Sequence, residues 1–372
     1  MTPERDPSEP DLPAGDALSR LGLERRAGVA PSPEEVRGER SRRRRSRRRR
    51  RRVVTTLVAA LVVFVGLPAL VLGVGAGYLA HLARTWDDGA TTIRAAFPDE
   101  ADRPAPADDG SLDVLLLGSD TRVAGESGRS DSMMLVHLPA DRSAVYVMSI
   151  MRDTWVDVPG HGMAKINAAY SWGGVPLTVQ TVEQLLQTRI DHVAEVDFAG
   201  FEAMTDALGG VDVVSTRTFR AGGHEFVQGE NHLDGEQALA FVRERKSFAE
   251  ADHQRVRNQQ AFIRGLVDGV LDRRTLTDPS ALSAFVAATA RHVAVDPGLT
   301  PTRMAEIAWS ARGLRPSGLK TFTMATSGLG TSADGQSYVS FDVDRLYALR
   351  EALRDDAVGD YLASASSATP AG

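Results

Sequence analysis

Apolar and polar positions along this 372-residue chain change pattern three times. The first forty residues are rich in Pro, Glu, Arg and Gly without apolar periodicity, which predicts disorder. From Val53 to Leu82 every residue is uncharged and most are apolar, with only His81 strongly polar near the end. About 20 such residues cross a bilayer core, so the run predicts a transmembrane helix even when tilted. Pro68, Gly73, Gly75 and Gly77 are tolerated in such a helix. Residues 83–110 carry Arg84, Trp86 and a Pro/Asp-rich stretch, and predict an interfacial anchor followed by a linker.

From residue 111 to 354 short apolar runs alternate with helical patterns. Asp113–Leu117, Met133–Leu138, Val145–Ile150, Val193–Val196, Val211–Val214, Lys320–Ala325 and Tyr338–Phe341 read as strands. A helix between Val196 and Val211 has Asp197 as its N-cap and Gly209-Gly210 as its stop. Another opens at Asp234, with Gln237 three positions on completing a capping box and Leu233 and Ala238 as the staple. A longer helix covers Asp252–Leu271, and two more follow it. The order predicts an α/β fold, an α-β-α sandwich around a mixed sheet, with residues 355–372 as a C-terminal tail.

Charge gives the span a direction. Residues 1–52 hold sixteen arginines against nine carboxylates, a net +7, so the remaining chain carries −13 of the total −6. Ten of those arginines lie in Arg42–Arg45 and Arg47–Arg52, directly against the apolar run. A basic block on that flank predicts a cytoplasmic N-terminus and an extracellular domain on a single-pass membrane anchor. The apolar run is too long for a cleaved signal peptide, and Val53-Val54-Thr55 after Arg51-Arg52 gives a twin-arginine signal little support. The acidic domain argues against a nucleic-acid partner. With no cysteine, disulfides and thiolate chemistry are excluded.

The familiar site signatures are absent: no phosphate-binding Gly-Lys loop, no nucleophile elbow, no His-Glu-x-x-His. What remains is Arg and Asp at strand ends and on helix faces. The first strand ends in Gly118-Ser119-Asp120-Thr121-Arg122, Gly128-Arg129-Ser130-Asp131 leads into the second, and the third ends in Ser149-Ile150-Met151-Arg152-Asp153. Ligands gather outside the carboxyl ends of parallel strands, which would put these segments around one cleft. Two aspartates suit a divalent metal shared with phosphate oxygens, and guanidinium groups grip phosphate in bidentate fashion. Arg243 and Arg245 close one helix, and Asp252, Arg255 and Gln259 share a face of the next, with Arg257 turned away. Singly, each such residue is more often an ordinary solvated ion pair.

In order and spacing these segments resemble the LytR–CpsA–Psr family of cell-envelope glycopolymer transferases. The resemblance rests also on Lys165-Ile166-Asn167-Ala168-Ala169-Tyr170, Val196 to Phe201, Leu208 to Asp212, Leu233 to Arg245, Asp252 to Arg255 and Gln259-Gln260. It implies an enzyme that moves a glycopolymer from a polyprenyl-pyrophosphate carrier to peptidoglycan through a phosphodiester, usually on the 6-hydroxyl of N-acetylmuramic acid. It implies Mg2+ on Asp120 and Asp131, and pyrophosphate held by Arg122, Arg129, Arg152, Arg243, Arg245, Arg255 and Gln259. Asp131 would also assist deprotonation of the attacking hydroxyl. It further implies an apolar pocket for the prenyl chain, whose lining is not identifiable from sequence. Met151 stands where the family often has Pro, and Asn258 where it usually has an arginine. The alternatives are a hydrolase acting on the same carrier and a non-enzymatic envelope regulator.

Overall fold

The computed structural model describes residues 75–119, 130–248, 251–271, 278–314 and 318–367. Its centre is a seven-stranded mixed sheet in the order β1-β12-β7-β2-β3-β4-β13. These strands are β1 (Thr91–Thr92), β2 (Leu112–Ser119), β3 (Ser130–Leu138), β4 (Val145–Ile150), β7 (His192–Asp197), β12 (Val293–Val295) and β13 (Leu319–Thr323). Period-2 alternation sends their side chains into two separate cores. Val114, Met134, Val136 and Val147 enter one core, whereas Leu115, Leu117, Leu135 and Met148 enter the other.

The first core is roofed by helices α1 (Gly75–Gly89), α3 (Phe198–Ala207), α4 (Gly235–Arg243), α5 (Ala251–Leu271), α6 (Pro279–His292) and α7 (Pro301–Ser310). The second is covered by α2 (Asn167–Leu186), α8 (Val343–Arg354) and α9 (Val358–Ser367). The molecule is therefore the expected α-β-α sandwich. Among the described residues four short ribbons lie outside the main sheet: β5–β6 (Trp155–Val158, Gly162–Lys165), β8–β11 (Val211–Ser215, Gly229–Leu233), β9–β10 (Phe219–Ala221, His224–Phe226) and β14–β15 (Thr326–Thr331, Ser337–Phe341).

Local chemistry sets several boundaries as the sequence predicts. Asp197 caps α3 by accepting from the Gly200 amide at 2.5 Å. Asp234 accepts from the Gln237 amide at 2.9 Å while the Gln237 side chain receives the Asp234 amide, a complete capping box. Leu233 and Ala238, the staple pair, are both buried.

The end of the expected span, residues 75–82, and the segment expected as anchor and linker, 83–110, are instead built into the fold. Leu82 and Trp86 are buried on α1, and the Tyr78 hydroxyl donates to the Pro279 carbonyl at 2.6 Å. A Cβ on Gly89 would lie 2.9 Å from that of Ala290, so glycine lets α1 approach α6. Beyond it, β1 adds a parallel strand to β12, and Ile93 and Ala96 are buried. The Arg103 side chain is buried too, bonding Glu183 at 2.7 Å and the Ile190 carbonyl at 2.5 Å. The Pro/Asp composition suggests a linker, but a few apolar residues and one paired cation are enough to dock it. The C-terminal stretch is also not a plain tail, because α9 runs to Ser367 and buries Val358.

Among the described residues no helix is long and apolar enough to cross a membrane. The expected span, 53–82, lies outside the described residues up to 74, as does the basic tail of 1–52. Replacing Trp86 by alanine is expected to destabilise the domain by about 3–5 kcal/mol, the usual cost of emptying a buried aromatic site. A thermal melt reads this directly, and an unchanged midpoint would return Trp86 to a membrane-interface role.

Candidate phosphate site and apolar cavity

The order β7-β2-β3-β4 decides what meets at the site. β7 and β2 are parallel, whereas β3 runs antiparallel to both β2 and β4. The end of β2, the start of β3 and the end of β4 therefore share one edge. The expected convergence occurs, but through antiparallel neighbours and not through parallel strands alone. Register adds a detail: Gly118 faces Ser132 and Ser119 faces Ser130, which leaves Asp131 as the extra residue of a bulge. Bulges re-aim side chains and are frequent beside active sites. Asp120, Arg122 and Arg129 lie outside the described residues, and of Asp131 only the backbone position is described.

The remaining candidates come together. Arg152, Arg243, Arg245, Arg255 and Gln259 all line one cavity of about 260 Å³. Arg152 follows β4, with its Nε 3.6 Å from the Asp153 carboxylate, which in turn lies 3.3 Å from the Lys165 ammonium. Arg243 ends α4, where a cation complements the helix dipole, and its guanidinium lies 4.4 Å above the Phe198 ring. Arg255 and Gln259 are one turn apart on α5. Arg255 is buried and bonded to Asp252 at 2.9 Å, and Gln259 accepts from the Ser132 hydroxyl at 3.5 Å. Arg257 is exposed and outside the lining, as its position on α5 predicts.

Below these polar groups the cavity is apolar. Leu116, Met134, Val136 and Val147 form its sheet side, and Phe201, Met204, Leu239, Phe262, Leu266 and Val267 its helix side. The sequence does not reveal this pocket. Each side chain occupies a regular core position, and only the separation of α3, α4 and α5 from the sheet leaves space between them. Such a pocket, apolar with a few converging polar groups, is the usual form of a small-ligand site.

Two more residues gain roles from the structure. Asn258 does not line the cavity. It is buried, and its amide donates to the Phe241 carbonyl at 3.0 Å while accepting from Gln254 at 3.0 Å. Phe241 is in the last turn of α4, where carbonyls lack helical partners, so Asn258 caps the turn that carries Arg243. Glu195 is buried on β7, bonded through one oxygen to the Tyr170 hydroxyl and with no partner for the other among the described residues. An ionisable residue inside the apolar run Val193–Val196 is the signal for it in the sequence. Its strand position faces the second core, away from the cavity.

No group of three or more carboxylate, histidine or cysteine side chains suited to a metal occurs among the described residues. The backbone nonetheless brings position 131 beside Ser119, whose successor is Asp120.

Comparisons with known proteins agree with this architecture. A polyisoprenyl-teichoic acid–peptidoglycan teichoic acid transferase TagU of Bacillus cereus is 41% identical over 157 residues, 42% of this chain and 52% of that protein. The match thus spans about half of that relative's length. The TagU of Enterococcus faecalis is 31% identical over 299 residues, covering 79% of this chain and 93% of the relative. The crystal structure of B. subtilis TagV superposes with a TM-score of 0.57 at 30% identity, over 67% of this chain and 98% of that one. TagT bound to LI-WTA gives 0.55 at 26%, over 72% and 98%. The family model described as the LytR_cpsA_psr family matches residues 84–355, a range that takes in α1 from Arg84, the whole central sheet and every described residue of the cavity, and the chain belongs to that family.

Proposed function

We propose that this protein transfers a glycopolymer from a polyprenyl-pyrophosphate carrier to peptidoglycan, forming a phosphodiester. One observation carries the reading: a cluster of guanidinium groups closes one end of an otherwise apolar cavity. A prenyl chain suits the apolar part and a pyrophosphate suits the cationic end. The names of the relatives, teichoic acid–peptidoglycan transferases, support the same reaction class.

In the proposed reaction the acceptor hydroxyl oxygen forms a bond to the glycan-side phosphorus. The bond from that phosphorus to the bridging oxygen breaks, and polyprenyl phosphate leaves. The hydroxyl proton passes to a nearby carboxylate, for which Asp131 is the candidate. Arg152, Arg243, Arg245 and Arg255 orient the pyrophosphate and offset charge on the departing phosphate, with Gln259 as a neutral donor beside them. Arg122 and Arg129 would complete the set. In phosphoryl transfer, positioning and charge neutralisation are most of what a protein contributes. Mg2+, held by Asp120 and Asp131, would supply further neutralisation. The basic tail and the apolar residues 53–74, ahead of the docked helix α1, would keep the site outside the cell, beside the membrane that holds the donor.

The test is incubation of the detergent-solubilised protein with a polyprenyl-pyrophosphate glycan, with and without peptidoglycan. The expected result is a glycan–peptidoglycan product and release of polyprenyl phosphate that rises with acceptor. Release that is indifferent to acceptor, with no joined product, would make the protein a hydrolase.

A further inference from the structure

The cavity accounts for one substrate of a two-substrate reaction, and a separate surface begins where Arg152 leaves the sheet. The Asp153 carbonyl accepts from the Val339 amide at 2.8 Å, and Thr154 bridges to Val339, which joins the start of β5 to β15. The hairpin β5–β6 follows, with one face packed on the second core and α2. Its Val156, Val158 and Ala164 are buried, so Trp155, Asp157, Met163 and Lys165 occupy the opposite face. At its base Trp155 stacks on Tyr338, ring centroids 4.5 Å apart and planes 22° from parallel. In its turn His161 stacks on Trp172 of α2 at 4.7 Å and 26°. Trp172 is 50% exposed and Met163 55%. From Trp155 to Val158 the strand advances about 10 Å.

None of these residues lines the cavity, and nothing in the proposed handling of the carrier uses them. Trp172 and Met163 are exposed and Trp155 and Tyr338 half-buried beside them, and an exposed apolar patch marks a recognition surface. Their arrangement points to a class of partner. Flat ring pairs stand at the two ends of the hairpin, and between them lie hydrogen-bonding groups, among them Asp157, which Gln184 contacts at 3.4 Å. A pyranose presents axial C–H groups, slightly positive, to the negative face of an aromatic ring, and hydroxyls at its rim. A continuous apolar strip, as a protein groove would need, is not what the hairpin offers.

We propose that the β5–β6 hairpin, with Trp172 and Tyr338, is the binding surface for the acceptor glycan strand, delivering its hydroxyl to the Arg152 end of the cavity. The inference rests on the transferase reading above. It assigns to that reading an acceptor subsite in which the rings grip the sugar backbone and set which hydroxyl reaches the phosphorus.

The experiment uses the full chain in detergent micelles and peptidoglycan sacculi stripped of attached polymers. Binding is read by co-sedimentation, acceptor KM by transfer, and donor use by polyprenyl phosphate release without acceptor. Trp172→Ala and Tyr338→Ala should each weaken sacculus binding and raise acceptor KM roughly 2- to 12-fold, the range for one aromatic contact. Trp172→Phe should stay near wild type, as should Trp309→Ala, an exposed tryptophan on α7 that lies under Arg312. Release without acceptor should not change. Wild-type protein provides a second readout, in which peptide-free glycan strands should protect Trp172 from oxidation by N-bromosuccinimide, mapped by mass spectrometry. Unchanged binding in both alanine variants, absence of protection, or competition by stem peptides in place of glycan would overturn the proposal. A wild-type protein that binds sacculi through these rings yet leaves the donor intact would refute the transferase reading alone.

Discussion

Replacing Arg152 by alanine is expected to lower transfer by roughly 10²–10³-fold, the loss typical for one preorganised group that stabilises transition-state charge. Arg152 is the candidate best placed for this effect. It follows β4 directly, its backbone carbonyl receives the Asn167 amide at 3.2 Å, and its side chain is only 16% exposed. Backbone and partial burial together fix the guanidinium before substrate arrives, whereas Arg243 and Arg245 are exposed and have more freedom. The fall should appear mainly in kcat. Arg152→Lys should recover only part of the rate, because a single ammonium cannot reproduce a planar two-point grip. Steady-state transfer and a thermal melt on the same preparations are the measurements. A variant that folds normally and transfers within a few-fold of wild type would remove Arg152 from the reacting centre.

The second large effect concerns stability and pH. His137 is buried on β3 between two carboxylates, Asp113 on β2 at 2.8 Å and Asp356 between α8 and α9 at 3.0 Å. Burial alone would lower its pKa. The charge and hydrogen bond of Asp113, followed by those of Asp356, outweigh burial and raise it above the ordinary 6.5. Other polar groups surround the clamp: Thr188 donates to Asp113 at 3.0 Å, Asp191 accepts the Asp113 amide at 2.8 Å, and Arg142, Asp109 and Asp141 lie in the same neighbourhood. A raised folded-state value means that protonation favours the folded form. The stabilisation is therefore complete below about pH 6.5 and fades as pH rises through the folded-state pKa. His137→Leu leaves the buried Asp113 and the half-buried Asp356 facing each other and should cost about 3–5 kcal/mol in acid, with a smaller difference from wild type in alkali. Denaturant titrations from pH 5 to 9 give both curves. A difference independent of pH would mean that the histidine serves only as a neutral hydrogen-bonding group.

The extent to which the fold is legible in the sequence follows the range of the interactions involved. Strand β4 and the caps at Asp197 and Asp234 are readable because each depends on residues within a few positions. Segment 83–110 reads as linker because its docking depends on partners far along the chain, namely Val295, Glu183 and Ala290. Asn258 looks like a missing arginine in sequence, yet it bonds the end of α4 because α4 and α5 cross there. Trp155 and Tyr338 are ordinary strand aromatics until the two hairpins meet.

By itself the sequence determined the α-β-α class, the approximate positions of the strands it marks by apolar runs, the caps at Asp197 and Asp234, the family and the arginines that line the cavity, whereas β1, β5, β6, β12 and β14 carry no such mark. These follow from periodicity, local hydrogen bonding and motif order. Only the tertiary structure decided that Arg152, Arg243, Arg245, Arg255 and Gln259 close one apolar cavity, that β3 reaches the shared edge antiparallel, and that α1 belongs to the domain. Those outcomes depend on strand order and on helix spacing over the sheet, both set by burial summed over the whole chain. A pattern confined to one segment does not contain that sum.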